Sequence, residues 1–294
     1  MRYSIADLER LSGIKAHTIR IWEQRYNVLT PNRTAGNTRY YDDDQLRRLL
    51  NISSLSDSGI KISELVALSE TEFNILLEKQ QEQLINKEDS GVEFFISQMI
   101  SAGLDYNEAA FDKHFSATLL RFGIKNAYVG VIHPMLVRIG LMWGKAELCT
   151  AQEHFVSNLI RQKILAATDG LPFPEANKQC WLLFLPQEED HETGLLFANY
   201  LIRLSGQKTI YLGNRVPLQS LRNTALCIKF DHLLFLFVSN RPVKEAELYL
   251  KELGKIFKQS KIHIAGNPKL ISQLTLTPKI NWVQSVNDLV KNYL

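Results

Sequence analysis

The chain has 294 residues, 45% of them hydrophobic, and a formal charge of +3. The length predicts two or three domains and the composition a globular protein with a real core. Its longest strongly apolar run, 233–238, is far short of the roughly 20 residues that cross a bilayer, and residues 1–10 are charged rather than patterned as a secretory signal. Three widely spaced cysteines (Cys149, Cys180, Cys227) form no metal pattern and predict a reducing, cytoplasmic setting.

Residues 1–41 carry seven Lys/Arg against three Asp/Glu, ahead of the acidic run Asp42, Asp43, Asp44. An arginine-rich start suits phosphate contacts, and by charge alone it equally suits a solvated surface. Patterning says more. In SIADLERLSGI, Ser4 is placed as an N-cap with Asp7 three residues on, and Ile5, Leu8 and Leu11 share one helical face. Gly13 breaks that helix and KAHTIRIWEQRY starts a second, so the pair predicts a helix-turn-helix. His17, Thr18 and Arg20 fall near the start of the second helix, the end that meets DNA, whereas Ile19 and Trp22 have the spacing of a buried face. PNRTAGNTRYY then predicts a hairpin wing with Arg33, Arg39, Tyr40 and Tyr41, and a further helix pair follows. The stretch resembles the winged-helix DNA-binding domain of the MerR family. The shared features are the Thr-Ile-Arg-x-Trp-Glu-x-Arg-Tyr helix, the Pro-x-Arg after it and the Arg-x-Tyr before the acidic cap. The resemblance implies a dimer on double-stranded operator DNA with two half-sites. It gives DNA contacts to Thr18, Arg20, Arg33, Arg39 and Tyr41, beside His17.

Residues 73–92 read as a polar, helix-like linker, too short and too rich in Gln and Glu for a dimerising coiled coil, so self-association is expected elsewhere. From 92 to 172, four apolar-periodic segments predict a four-helix bundle. Glu153 and His154 follow Trp143 after nine intervening residues, with Trp143 at one helix end and the acid–imidazole pair early in the next helix. By residue type alone, the three are either a shared cavity lining or a core tryptophan and a surface pair.

The last third alternates strand and helix: QCWLLFLP, KTIYLGN, HLLFLFVS, KIHIAGN and INWVQS are the strands. Near-continuous apolar strands are buried on both faces, and βα units at this spacing predict a doubly wound parallel sheet of flavodoxin-like order. Ligands of such sheets sit beyond the carboxyl ends of the strands, where the loop EEDHETG leaves the first strand. Glu189-x-His191-x-x-Gly194 in that loop resembles the Asp-x-His-x-x-Gly motif of cobalamin-binding domains. LGNRVP, with Val216, and IAGNP, with Gly266, match that family's later loops. The resemblance implies that His191 is the lower ligand of the cobalt, that Glu189 fixes its tautomer, and that Gly194 lets the backbone approach a bulky ring. Glu189 stands for Asp, Ala265-Gly266 for Gly-Gly, and only Ser239 is available for the third-strand serine motif.

Taken together, a MerR-like domain (1–75), a linker (76–91), a bundle (92–172) and a cobalamin-type sheet (173–294) resemble the light-sensing repressors of carotenoid genes, the CarH type. That group implies adenosylcobalamin as cofactor, dimers or tetramers that bind DNA in the dark, and no membrane. It assigns Trp143, Glu153 and His154 to the upper adenosyl group, capped by the bundle. Gly144 stands where the group's photoreceptors have a histidine that captures cobalt after illumination, so a bis-histidine adduct is not expected unless His133 or His154 takes its place. Two other readings remain: a regulator whose sensor binds a protein or another ligand without cobalamin, and a cobalamin-dependent methyltransferase or mutase subunit. The second would need a substrate domain for which the chain has no residues left.

Overall fold

The computed structural model describes residues 2–34, 36–56, 60–85, 91–143, 150–175 and 177–294, without the side chains of 56, 78, 81–85 and 141–143. The chain divides into two units, Met1–Leu159 and Ile160–Leu294.

The first unit begins with α1 (Ile5–Ser12), capped as its sequence predicts. Ser4 Oγ accepts from the Asp7 amide at 3.3 Å and the Asp7 carboxylate accepts from the Ser4 amide at 2.7 Å. Gly13 ends α1 in the left-handed region, φ 74°. The helix α2 (Ala16–Tyr26) has no side-chain cap of its own. Glu9 of α1 supplies one across the turn, accepting from the Ala16 amide at 3.1 Å. A two-stranded wing, β1 (Asn32–Arg33) and β2 (Arg39–Tyr40), sets Arg33 opposite Arg39, and Tyr3 extends the pairing by bridging to Tyr41. Then come α3 (Asp43–Ser56), α4 (Ile62–Ala67) and α5 (Glu70–Ile85), the last covering much of the predicted linker.

The four helices predicted over 92–172 are α6 (Val92–Leu104), α7 (Glu108–Ala127), α8 (His133–Trp143) and α9 (Thr150–Asp169). The helix α6 is apolar almost all round and buried along its length because α3 packs on one side and α7 on another. Gly103 of α6 lets α9 close in, since a Cβ there would lie 2.4 Å from Val156 Cγ2. Gln152 of α9 donates to the Leu104 carbonyl at 2.8 Å and so caps the end of α6. Gly123 (φ 68°, ψ 158°) kinks α7, and a single wide π-type turn over Tyr128–Ile132 leads through His133 to Pro134, which has no N–H for the helical ladder.

The second unit is a five-stranded, wholly parallel sheet. Its strands are β3 (Cys180–Pro186), β4 (Lys208–Val216), β5 (His232–Phe237), β6 (Lys261–Gly266) and β7 (Ile280–Trp282), in the spatial order β4-β3-β5-β6-β7. That is the predicted flavodoxin-like order, with α10 (Thr193–Leu204), α11 (Leu218–Cys227), α12 (Val243–Ile256), α13 (Pro268–Ile271) and α14 (Val286–Tyr293) following the strands. Every residue of β3 and β5 is buried, as expected of strands covered on both faces. Leu182, Phe184, Leu221, Leu233, Phe235, Leu250 and Ile264 form the core on one of them. The topology reverses between β3 and β5, so the carboxyl ends of these two strands frame the crevice.

Candidate functional site

At that crevice Glu189 is fully buried, 0% exposed. Its carboxylate accepts from five groups, one of them the His191 backbone amide at 3.3 Å from Oε1. The backbone amides of Val238 and Ser239, just past β5, donate to Oε2 at 2.9 and 2.7 Å, and Ser239 Oγ donates to Oε1 at 3.1 Å. The last partner is His191 Nδ1, 2.5 Å from Oε1. Burial alone would raise the Glu189 carboxyl, but hydrogen bonds from the His191 ring and the two amides outweigh it and hold the group at about 2. A carboxylate so fixed accepts a hydrogen bond from Nδ1, which leaves the lone pair of the neutral ring on Nε2. The His191 ring is 52% exposed. This is the donor arrangement of a histidine that ligates a metal, with the carboxylate as its orienting partner.

The remaining acids of the loop tie it to its neighbours, two of them to β4. Glu188 lies 3.9 Å from Arg241, whose guanidinium stacks 4.1 Å over the Phe237 ring. Asp190 is paired in bidentate fashion with Arg215 on β4. Glu192 accepts from Tyr211 Oη at 2.8 Å and lies 3.3 Å from Arg161. The stretch expected as a loop after the second strand is instead strand: β4 runs to Val216, with register breaks opposite Leu183–Pro186 and Arg215 at φ 53°. Such bulges re-aim side chains beside a site. Val216 itself belongs to the core cluster.

The two glycines have steric reasons. A Cβ on Gly194, in the first turn of α10, would touch Leu236 Cδ2 at 3.0 Å, so this glycine seats α10 on the sheet. A Cβ on Gly266 would fall 2.1 Å from the Phe237 carbonyl oxygen, and its φ of 119° suits glycine alone. The chain past Gly266 thereby reaches β5, where the Asn267 amide donates to that carbonyl at 2.6 Å.

In the first unit His17, Arg20, Arg33 and Arg39 are exposed and Thr18 is partly so, with His17, Thr18 and Arg20 on α2 and the two arginines on the wing. Arg33 donates to Asn37 Oδ1 at 2.6 Å across the hairpin. Ile19 is buried as expected, and Trp22 only partly. Tyr41 requires a correction. It is fully buried and its hydroxyl donates to Glu23 at 2.5 Å, so it braces α2 from beneath instead of facing DNA. Glu153 and His154 sit in the first turns of α9, with His154 Nδ1 2.9 Å from Glu153 Oε2 and Ser157 Oγ donating to Oε1 at 2.5 Å. Trp143 closes α8, but its side chain lies outside the described residues, as does Gly144.

Residues 3–71 match the MerR HTH family regulatory protein model, and residues 96–167 match the B12 binding domain. The matched segments give the chain a MerR-type helix-turn-helix and a B12-binding domain. It is 29% identical over 256 residues to the HTH-type transcriptional repressor CarH of Myxococcus xanthus, covering 85% of this chain and 84% of that one. It is 27% identical over 255 residues to CarA of the same organism, covering 86% and 82%. Among solved structures, the monomethylamine corrinoid protein of Methanosarcina barkeri superposes with a TM-score of 0.52 at 13% identity, over 66% of this chain and 93% of that one, a likeness of fold. Relatives along most of the length are transcriptional regulators, which sets aside the enzyme-subunit reading. Among the described residues no helix is long and apolar enough to cross a membrane.

Several residues of these sites escaped the sequence. The Asp190–Arg215 pair, the Arg241 stack and the Val238 amide all join segments apart in the chain, and Glu9 caps a helix other than its own. Only Arg215 had a local signal, its place inside the motif-like LGNRVP.

Proposed function

We propose that this regulator represses transcription by binding operator DNA in the cytoplasm as a dimer or tetramer, and that it senses adenosylcobalamin and, through it, light. The observation that carries the reading is the Glu189–His191 pair at the switch point, with Ser239 and Val238 completing the carboxylate's shell. His191 would hold the cobalt through Nε2, Glu189 would keep the ring neutral and oriented, and the glycine-enforced approach of the chain past Gly266 to β5 would shape the crevice beside it. Bound adenosylcobalamin supplies a cobalt–carbon bond that green light breaks.

The division into 1–75, 76–91, 92–172 and 173–294 is proposed with it, supported by the matched segments 3–71 and 96–167. Trp143, Glu153 and His154 are assigned to the adenosyl group. The Glu153–His154 pair offers hydrogen bonds to a ribose, and a methyl group in that place leaves the pair unmatched. Size-exclusion chromatography with an absorption spectrum, before and after green light, tests the reading. Assembly that depends on adenosylcobalamin in the dark and falls on illumination is expected. Identical oligomers with adenosyl-, methyl- and hydroxocobalamin would contradict the sensing role of the three residues.

A further inference from the structure

The turn between α1 and α2 is gripped from outside the DNA-binding segment. Arg138, on α8, donates to both carboxylate oxygens of Glu93 on α6, at 2.8 and 2.6 Å. The same guanidinium lies 3.5 Å from the Leu11 carbonyl in the last turn of α1. The next carbonyl, Ser12, accepts from Ser53 Oγ of α3 at 2.7 Å. Carbonyls at a helix carboxyl end lack partners within the helix and carry its negative dipole end, so a cation and a hydroxyl are well matched there. Gly13 adds a steric reason, because a Cβ on it would lie 3.2 Å from Glu93 Oε2. Around this clamp, Gln98 of α6 donates to Ser54 at 2.8 Å and to Asn51 at 3.2 Å, and Arg47 of α3 is paired with Asp105.

Arg138 lies five residues before Trp143 on one continuous helix, about 7.5 Å along its axis. A displacement of α8 is therefore delivered to the carboxyl end of α1, and so to the turn that sets the angle of α2. The clamp does not cover the recognition surface, since His17, Arg20, Arg33 and Arg39 remain exposed while it is closed. It orients the helix-turn-helix rather than blocking it.

We infer that the Arg138–Glu93 clamp on the α1–α2 turn transmits the state of the sensor helices to the DNA-binding helices within one chain. Arg138 is a positioning residue that touches neither DNA nor cofactor. The inference rests on the sensing role proposed for Trp143 and on cobalamin as the signal.

The test uses the full chain as wild type, Arg138→Gln, and Arg138→Lys, which keeps a cation at the α1 carboxyl end. Hydrogen exchange of the peptide spanning residues 11–18, without cobalamin, should quicken in Arg138→Gln and return toward wild type in Arg138→Lys. Operator affinity with and without adenosylcobalamin in the dark should differ in wild type, and the ratio should shrink by about fivefold or more in Arg138→Gln, within the usual range of coupling between sites. The salt slope of DNA binding should not change, because Arg138 meets no phosphate. Unchanged exchange in Arg138→Gln would overturn the clamp, and a full cobalamin response in that variant would overturn its transmitting role. A wild-type chain indifferent to cobalamin would overturn the sensing reading and the transmission with it, while the exchange comparison would still report on the clamp by itself.

Discussion

Glu189 and His191 are two residues apart and hold each other at 2.5 Å, yet they differ in exposure: the carboxylate is fully buried and the ring is half in solvent. The carboxylate is fixed from β5, so the ring's tautomer is set by a neighbouring strand and not by the loop alone. Glu189→Gln tests that dependence. The amide keeps the size but sets an NH2 group among donors, leaving one or more of them unmatched. It should cost about 1–3 kcal/mol of stability and lower cobalamin affinity by about 10–100-fold. Denaturant midpoints and a cobalamin titration check both, and an unchanged affinity would remove Glu189 from the site.

Acid should unfold the second unit in two stages. The His232 and His263 rings are buried together, 2.9 Å apart between Nδ1 and Nε2, and stack against Trp181. Burial is the main cause that pushes His263 down to about 3 and lowers His232 from 6.5, with each nearby positive charge adding to it. The unfolded chain takes up these protons at higher pH than the folded one, so stability drains as pH falls below 6.5. The Glu189 contribution is whole above 4.5 and is lost as pH falls toward about 2. Urea midpoints measured across this range should decline from the first threshold and steepen below the second. A flat profile down to 4.5 would contradict the histidine stage.

Gly266→Ala should destabilise by about 1–3 kcal/mol or more, because its Cβ would meet the Phe237 carbonyl and its backbone angle is strained for any L side chain. Thermal denaturation reads the change, and a cobalamin titration should show weaker binding in the folded fraction. Wild-type stability would contradict the packing described.

Arg20→Ala and Arg39→Ala should each weaken operator binding, by about 1–3 kcal/mol where the arginine reads a base. Where it meets a phosphate, its removal should lower the salt slope by about one. Tyr41→Phe should behave differently. It removes the hydroxyl from Glu23, so it should lower stability while the folded fraction keeps near wild-type operator affinity. A loss of operator affinity at unchanged stability would restore its expected role at the DNA.

The fold was legible wherever the signal was local. Ser4 and Asp7 announced a capping box that is present, and the apolar runs of β3 and β5 announced a parallel sheet buried on both faces. The histidine loop was legible because a strand end, an acid and a glycine stand at fixed spacing. What the sequence could not show was set by distant contacts. Tyr41 reads as a wing residue by position, and only the bridge to Tyr3 turns it inward. The strand β4 persists through LGNRV because bulges absorb residues that look like a loop. Ser239 finds its register only when the β5 end folds over Glu189, 50 residues away. The Arg138 clamp spans 127 residues and has no periodicity to announce it.

Cobalt ligation by His191 is read from the dark absorption spectrum and affinity of adenosylcobalamin with wild-type chain and with His191→Ala. Wild type should bind with the spectrum of an imidazole-ligated cobalt, and His191→Ala should bind at least about tenfold more weakly with a spectrum lacking that ligand. Equal affinity and an unchanged spectrum in the variant, or no binding by wild type, would contradict it.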